Sequence, residues 1–296
     1  MDRRSALLMG ILLSASGSWG QTKPAVIRIE GSPSMTACTQ RLTVWYHKNQ
    51  PDTSFTVRDG AVGKGIGALV DGSADIAQSS RQVLGGEISA LRDKHGQTFV
   101  QIPVAMEVSG ILVHPSNPIH ELSIFDLRQI LSGTVKNWKQ VGGSDAPIKI
   151  YGRDDSSDTR EFIEAEFMGD EGVASSAITF SKNSALYAAV ARDKNGIGYA
   201  TVNLALNPKV RFIAIKASSS GTAVSPTTQS IREHRYPLMR PLYYIFAGEP
   251  SGEAQRFVEW VLSAQGQLVV EAAEFWPLGP TDRGQGHNLL ASHPRR

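Results

Sequence analysis

The sequence has little of several things, and each shortage removes a class of function. Among 296 residues there is one cysteine, Cys38, so no internal disulfide framework and no multi-cysteine zinc or iron–sulfur site can form. Thirty Lys and Arg against 28 Asp and Glu leave a formal net charge of +2. That is too little for an affinity built on neutralising many nucleic-acid phosphates, and no aromatic and basic interleaving points to a single-stranded partner. The seven histidines are scattered without an H-E-x-x-H spacing, so neither a metal nor any other cofactor is expected. No G-x-S-x-G elbow occurs and no histidine neighbours the serine-rich stretch at 152–160. The chain is therefore not expected to be an enzyme. No internal repeat is visible.

The apolar run at residues 6–13 is well short of the roughly 20 residues a bilayer requires. It follows Asp2, Arg3 and Arg4 and precedes the small residues 14–18. Charged, apolar and small in that order is the layout of a secretory signal, with cleavage expected near residues 17–20. No cysteine stands just after the run, so a lipid anchor is not expected, and the mature chain is expected in the periplasm or secreted.

What is present is the composition of a soluble globular protein. Hydrophobic residues are 41%, charged residues 20%, with 28 Gly and 15 Pro, and the length corresponds to about two domains of roughly 150 residues each. Residues 25–31 alternate apolar and polar and end on a glycine, as a strand entering a tight loop does. Met35, Cys38, Leu42 and Trp45 then recur at three, four and three, a helix with one buried stripe. Strands over 55–58 and 74–78 with a short helix over 65–71 complete a β-α-β-α-β run. In a parallel sheet its loops gather at the carboxyl ends of the strands. Residues 99–113 form a long strand-like run, long enough to leave one lobe and enter another. A second lobe follows, with helices over 122–131, 158–168 and 185–192 and strands over 148–151 and 198–201. The alternation at 210–215 is read as the return crossing, 253–262 as a helix, and 277–296 as a disordered tail.

The densest chemistry is G-R-D-D-S-S-D-T-R at 152–160, between a strand and a helix. Capping of the helix by Ser, Asp and Thr explains part of the run. It does not explain Arg153, placed where a guanidinium can fork onto an oxyanion while Ser157, Thr159 and backbone N–H groups donate. Ser32-Pro33-Ser34-Met35 opens the first helix, and Gly60-Ala61-Val62-Gly63-Lys64-Gly65 opens the next. The glycine loop is neither a P-loop nor G-x-G-x-x-G. Three helix-opening loops together would make a cup of hydrogen-bond donors.

These motifs, G-S-P-S-M, D-G-A-V-G-K-G-I-G-A-L-V-D-G-S-A-D-I-A-Q-S-S-R, G-R-D-D-S-S-D-T-R-E-F and F-D-L-R-Q-I-L-S-G-T-V-K-N-W, resemble the periplasmic phosphate-binding proteins, the substrate-binding components of phosphate ABC importers. The resemblance covers residues 25 to about 276. It implies an α/β two-lobed periplasmic-binding-protein fold, each lobe a mixed, mainly parallel sheet flanked by helices, with two hinge crossings: 25–108 with 208–276 as lobe I and 109–207 as lobe II. The implied ligand is inorganic phosphate, clamped as the lobes close. The implied partners are the membrane subunits of an ABC importer, and the chain is expected to be a monomer. A different oxyanion such as sulfate, or an exported sensor or adhesion-type protein on the same fold, is the alternative.

Carried over by position, the phosphate-binding residues are Ser34, Met35, Gly63, Ser80, Arg153, Asp155, Ser157, Asp158 and Thr159. Arg153 would neutralise the anion and Asp155 would orient it. The sequence departs from the pattern at three positions. Val62 stands where a serine is usual, Asp158 where glycine is usual, and Ser80 where some members have an aspartate that accepts the ligand's proton. Phosphate near neutral pH has such a proton and sulfate does not, so the acceptor's duty would pass to Asp155 or Asp158.

Overall fold

A computed structural model describes residues 25–95, 99–155, 157–202 and 209–291. The expected signal segment and Ser156 lie outside the described residues. The chain begins with strand β1 (Ala25–Gly31), helix α1 (Pro33–Asn49), β2 (Thr53–Asp59), α2 (Val62–Asp71) and β3 (Ile76–Ser79). The three strands are parallel, with Ile27 opposite Phe55 and Ile29 opposite Ile76. Two glycines permit this packing. Gly31 has φ +139°, and a Cβ there would lie 2.2 Å from the Gln78 carbonyl oxygen. A Cβ on Gly65 would lie 2.4 Å from the Glu30 carbonyl oxygen, so α2 can rest on β1 only with glycine at that position. The helix starts three residues earlier than the sequence pattern suggests, because packing outweighs the low helix propensity of Gly63 and Gly65.

The buried stripe of α1 is Met35, Cys38, Leu42 and Tyr46. Trp45, expected on that stripe, is 44% exposed and lies under the Lys48 ammonium, 5.0 Å from the ring centre. The helical repeat of 3.6 residues has drifted past position 45 by the last turn, so position 46 faces the core instead.

After α3 (Gly85–His95), strand β4 (Phe99–Val113) carries the chain between lobes. Its first part pairs antiparallel with β12 (Met239–Ala247), which also pairs with β3. Its last five residues, Ser109 to Val113, pair with β8 (Gly196–Thr201). β8 is parallel to β6 (Lys149–Arg153), and β6 to β7 (Ile178–Phe180). One continuous sheet results, in the order β2-β1-β3-β12-β4-β8-β6-β7, and the two lobes are its two halves. The largest core runs through this junction, from Ile27 and Ile29 in lobe I to Ile150 and Ile197 in lobe II. Lobe I is covered by α1, α2, α8 (Gly252–Leu262) and α9 (Ala264–Ala272); lobe II carries α4 (Ile124–Leu131), α5 (Asp158–Ile163) and α6 (Asn183–Val190). α5 runs on into a single π-helical turn, Glu164–Met168.

The return crossing lies later than the alternation at 210–215 suggests. β9 (Arg211–Phe212) pairs with the lobe II part of β4. β10 (Ala214–Lys216) forms a small sheet with β5 (Glu121–Ser123) and β11 (Ala223–Val224). The chain comes back only after the short helix α7 (Thr228–Arg232), where the Ser109 N–H donates to the Leu238 carbonyl (2.9 Å) and Met239 pairs with Val108. The boundary expected at 208 is thereby corrected. A period-two pattern identifies a strand but not its partner, and these short strands are satisfied at an edge of lobe II.

The tail is also corrected. Residues Pro280–Ala291 form helix α10, with Leu278 and Leu290 buried at 4% and 2% exposure. At Gly286 the missing side chain admits Leu262, which a Cβ would approach to 2.9 Å. So few anchors leave no readable helical period, although the burial they provide orders the segment.

Candidate anion-binding site

β6 ends at Arg153, pointing the loop to α5 at the junction of the lobes. The Arg153 guanidinium is pinned by three acceptors: Nε donates to the Phe180 carbonyl (3.1 Å), Nη1 to Asn183 Oδ1 (2.5 Å) and Nη2 to the Ser181 carbonyl (3.0 Å). The register of β7 beside β6 sets two of these, and the first residue of α6 sets the third. A fixed cation has little orientational freedom left to lose when an anion arrives. The loop itself is held by the Ser157 N–H donating to the Asp154 carbonyl (3.1 Å) and the Glu161 N–H to the Ser157 carbonyl (3.0 Å).

Ser157 and Thr159 are buried at 6% and 3% exposure. Thr159 Oγ1 lies 3.1 Å from Thr201 Oγ1 on β8. Among the described residues Ser157 Oγ has no hydrogen-bond partner. A buried unpaired hydroxyl costs about 1–3 kcal/mol, a cost that a ligand oxygen placed in the cleft would remove. Arg153, Ser157, Thr159 and Asn183 line one wall of a cleft of about 200 Å³, whose other wall includes Glu107 on β4 and Phe275 after α9. The far wall is drawn in by Trp276, whose N–H and carbonyl pair with Met106 on β4 (3.0 and 2.9 Å).

Of the nine residues expected to hold the anion, the cleft lining includes Arg153, Ser157 and Thr159. Asp158 is the first residue of α5, and its side chain lies outside the described residues. Ser34 is fully buried and is linked to the far side of the cleft, donating to Glu161 Oε2 (2.9 Å) and accepting from Arg240 Nη2 (3.2 Å). The lining does not include the others. Met35 packs in the core, and its N–H donates to the Ser32 carbonyl (3.2 Å). Ser80 Oγ accepts from Ser32 Oγ (3.1 Å). Gly63 is exposed on α2, and a Cβ there would lie 3.6 Å from a Glu87 carboxylate oxygen. The neighbouring Arg81 guanidinium pairs with that carboxyl at 2.8 Å and holds it below its ordinary range. The Asp155 side chain is 92% exposed and pairs with Arg160 (3.0 Å), outside the cleft lining. Cys38 is buried, and burial pushes its thiol up to about 12, which makes it a packing residue. Among the described residues no cluster of three metal-ligating side chains occurs, and no helix is long and apolar enough to cross a membrane.

Residues 20–265 match the PBP superfamily domain. The chain belongs to that superfamily. The phosphate-binding protein PstS of Staphylococcus aureus strain USA300 is 26% identical over 277 residues, 90% of this chain and 84% of the relative. The crystal structure of a possible phosphate binding protein from Planctomyces limnophilus has a TM-score of 0.83 at 22% identity, covering 92% of this chain and all of that one, which is a likeness of fold. An ABC-type phosphate transport receptor from Vibrio cholerae has a TM-score of 0.69 at 26% identity, over 86% of this chain and 100% of the receptor.

Within this PBP-superfamily chain the motif reading missed a buried pair of opposite charges. Glu107 and Arg240 are cross-strand neighbours on β4 and β12. Arg240 Nε donates to Glu107 Oε2 (2.9 Å), with the side chains 9% and 4% exposed. The Arg240 guanidinium also lies 4.6 Å from the Phe162 ring centre on α5. A signal was there to be read: V-A-M-E-V-S-G and P-L-M-R-P-L each set one charge inside an apolar strand run, and opposite charges in such positions are paired when buried. Asn183 and Glu161 carried no comparable signal, because their roles depend on distant elements meeting at the cleft.

Proposed function

We propose that this chain binds inorganic phosphate in the cleft between Arg153, Ser157 and Thr159 on lobe II and the β4 wall opposite, and delivers it to the membrane subunits of an ABC importer. The observation that carries this reading is the buried, unpartnered Ser157 hydroxyl beside the pinned Arg153 guanidinium. A single small anion satisfies both groups. The names of the relatives, a phosphate-binding protein and a phosphate transport receptor, support the same ligand and the transport role.

The energetics require only a handful of contacts. Micromolar affinity corresponds to about 8 kcal/mol, and each hydrogen bond to a charged group contributes roughly 1.5–3 kcal/mol. Arg153, Ser157, Thr159 and backbone N–H groups of the loop reach that range without a basic surface, consistent with the near-zero net charge. The chain binds its ligand and releases it unchanged. It works as an exported monomer, in the periplasm or outside the cell, with residues 1–20 removed.

Calorimetric titration of phosphate into the purified, ligand-stripped protein tests the reading. Saturable one-site binding that is lost in Arg153→Ala is expected. Binding of phosphate unchanged by that substitution overturns the site, and binding of sulfate in preference to phosphate overturns the ligand.

A further inference from the structure

Two of the three acceptors that pin Arg153 are backbone carbonyls, those of Phe180 and Ser181, and the third is a side chain, Asn183 Oδ1 at 2.5 Å. A guanidinium has donors and no acceptor, so this contact fixes which way round the amide stands. Oδ1 is turned to Arg153, and Nδ2, with its two donors, occupies the other edge of the amide. Asn183 is half-buried and lines the same wall of the cleft as Arg153, Ser157 and Thr159. Among the described residues its Nδ2 donates to no protein acceptor.

We propose that Asn183 has two roles in this site: through Oδ1 it is a positioning residue for Arg153, and through Nδ2 it donates a hydrogen bond directly to an oxygen of the bound anion. This rests on the phosphate reading above. The residue type suits both roles. Oδ1 is a neutral acceptor, so the bond orients the guanidinium without cancelling its charge. A carboxylate at this position would also hold Arg153, but it would set a negatively charged oxygen against the ligand where the amide sets a donor. The grip on Arg153 fixes Nδ2 before the anion arrives, which spares the ordering cost that a free side chain meets on binding. Asn183 is the first residue of α6, 30 residues beyond Arg153 in the chain. It therefore brings a second helix of lobe II, besides the loop into α5, to the anion.

The test is a titration of phosphate into the wild type, Asn183→Ala and Asn183→Asp, with thermal melts on each, together with a crystal structure of the wild type grown with phosphate. Both variants are expected to bind phosphate about 10-fold or more weakly, the aspartate even though it keeps an acceptor for Arg153. In the crystal structure Nδ2 is expected within about 3.2 Å of a phosphate oxygen, a readout that decides the donor role whether or not the variants fold. Asn183→Asp with wild-type affinity overturns the donor role, and so does phosphate seated in the cleft with Nδ2 more than about 3.5 Å from it. Asn183→Ala with wild-type affinity overturns both roles. Each of these outcomes leaves the phosphate reading standing. A wild type that binds no phosphate, or binds it away from Arg153, overturns that reading and this inference with it.

Discussion

Ser34 Oγ donates to Glu161 Oε2 at 2.9 Å, across 127 residues of chain, and so ties the first turn of α1 in lobe I to α5 in lobe II. Arg240 joins the same tie by donating to Ser34 and lying over Phe162. The contact stands beside the cleft and is made only while the two lobes are together. Because Glu161 is exposed, its bond is worth about 1 kcal/mol or less. Glu161→Ala is therefore expected to shift the ligand-free protein toward more open conformers by a few-fold, read as a larger radius of gyration in small-angle scattering. Unchanged dimensions with and without the carboxylate would mean that the tie has no part in closure.

Ser157→Ala separates binding from stability. Among the described residues the hydroxyl has no partner to lose, so the substitution is expected to change unfolding free energy by less than about 1 kcal/mol. Phosphate affinity is expected to fall about 10-fold or more, the worth of one hydrogen bond to a charged group. Denaturant unfolding and calorimetry on the same preparation check both halves. A destabilised variant with normal affinity would place the hydroxyl in the fold and not in the site.

Arg153 distinguishes charge from shape. Arg153→Ala is expected to lower phosphate affinity about 100-fold or more. Arg153→Lys keeps the charge but lacks the planar fork that meets the Phe180 and Ser181 carbonyls and Asn183, so it is expected to recover only part of the loss. Full recovery by lysine would show that net charge alone is recognised. Circular dichroism on each variant controls for loss of fold.

The Arg81 and Glu87 pair gives a pH dependence. The Arg81 guanidinium, at 2.8 Å, holds the Glu87 carboxyl below its ordinary value. A carboxylate depressed in the folded state adds stability above its unfolded value of about 4.3, and that stability is lost as pH falls through the folded value. Arg81→Met is accordingly expected to destabilise the protein more at about pH 7 than at about pH 3. Urea unfolding at the two pH values checks this, and an equal effect at both would exclude the ion pair as the cause.

Leu290 tests the last helix. It is 2% exposed on α10, so Leu290→Ala is expected to cost about 2 kcal/mol or more and to lower the melting temperature. A melt identical to that of the wild type would return the segment to the status of a tail.

Sequence alone determined the things that depend on local pattern: the β-α-β-α-β opening, the long crossing strand at 99–113, the loop carrying Arg153, Ser157 and Thr159, and the inert character of Cys38. Periodicity and loop chemistry act over a few residues, and those residues are adjacent in the chain. Tertiary structure decided everything that depends on which elements meet. It kept residues 211–224 with lobe II, because edge strands pair with whatever edge is open to them. It turned 280–291 into a helix through anchors such as Leu290 and the close approach of Leu262 to Gly286, too sparse in sequence to show a period. It brought Glu107 and Arg240 together from strands more than a hundred residues apart, where a charge that is an anomaly in its own segment becomes half of a buried pair.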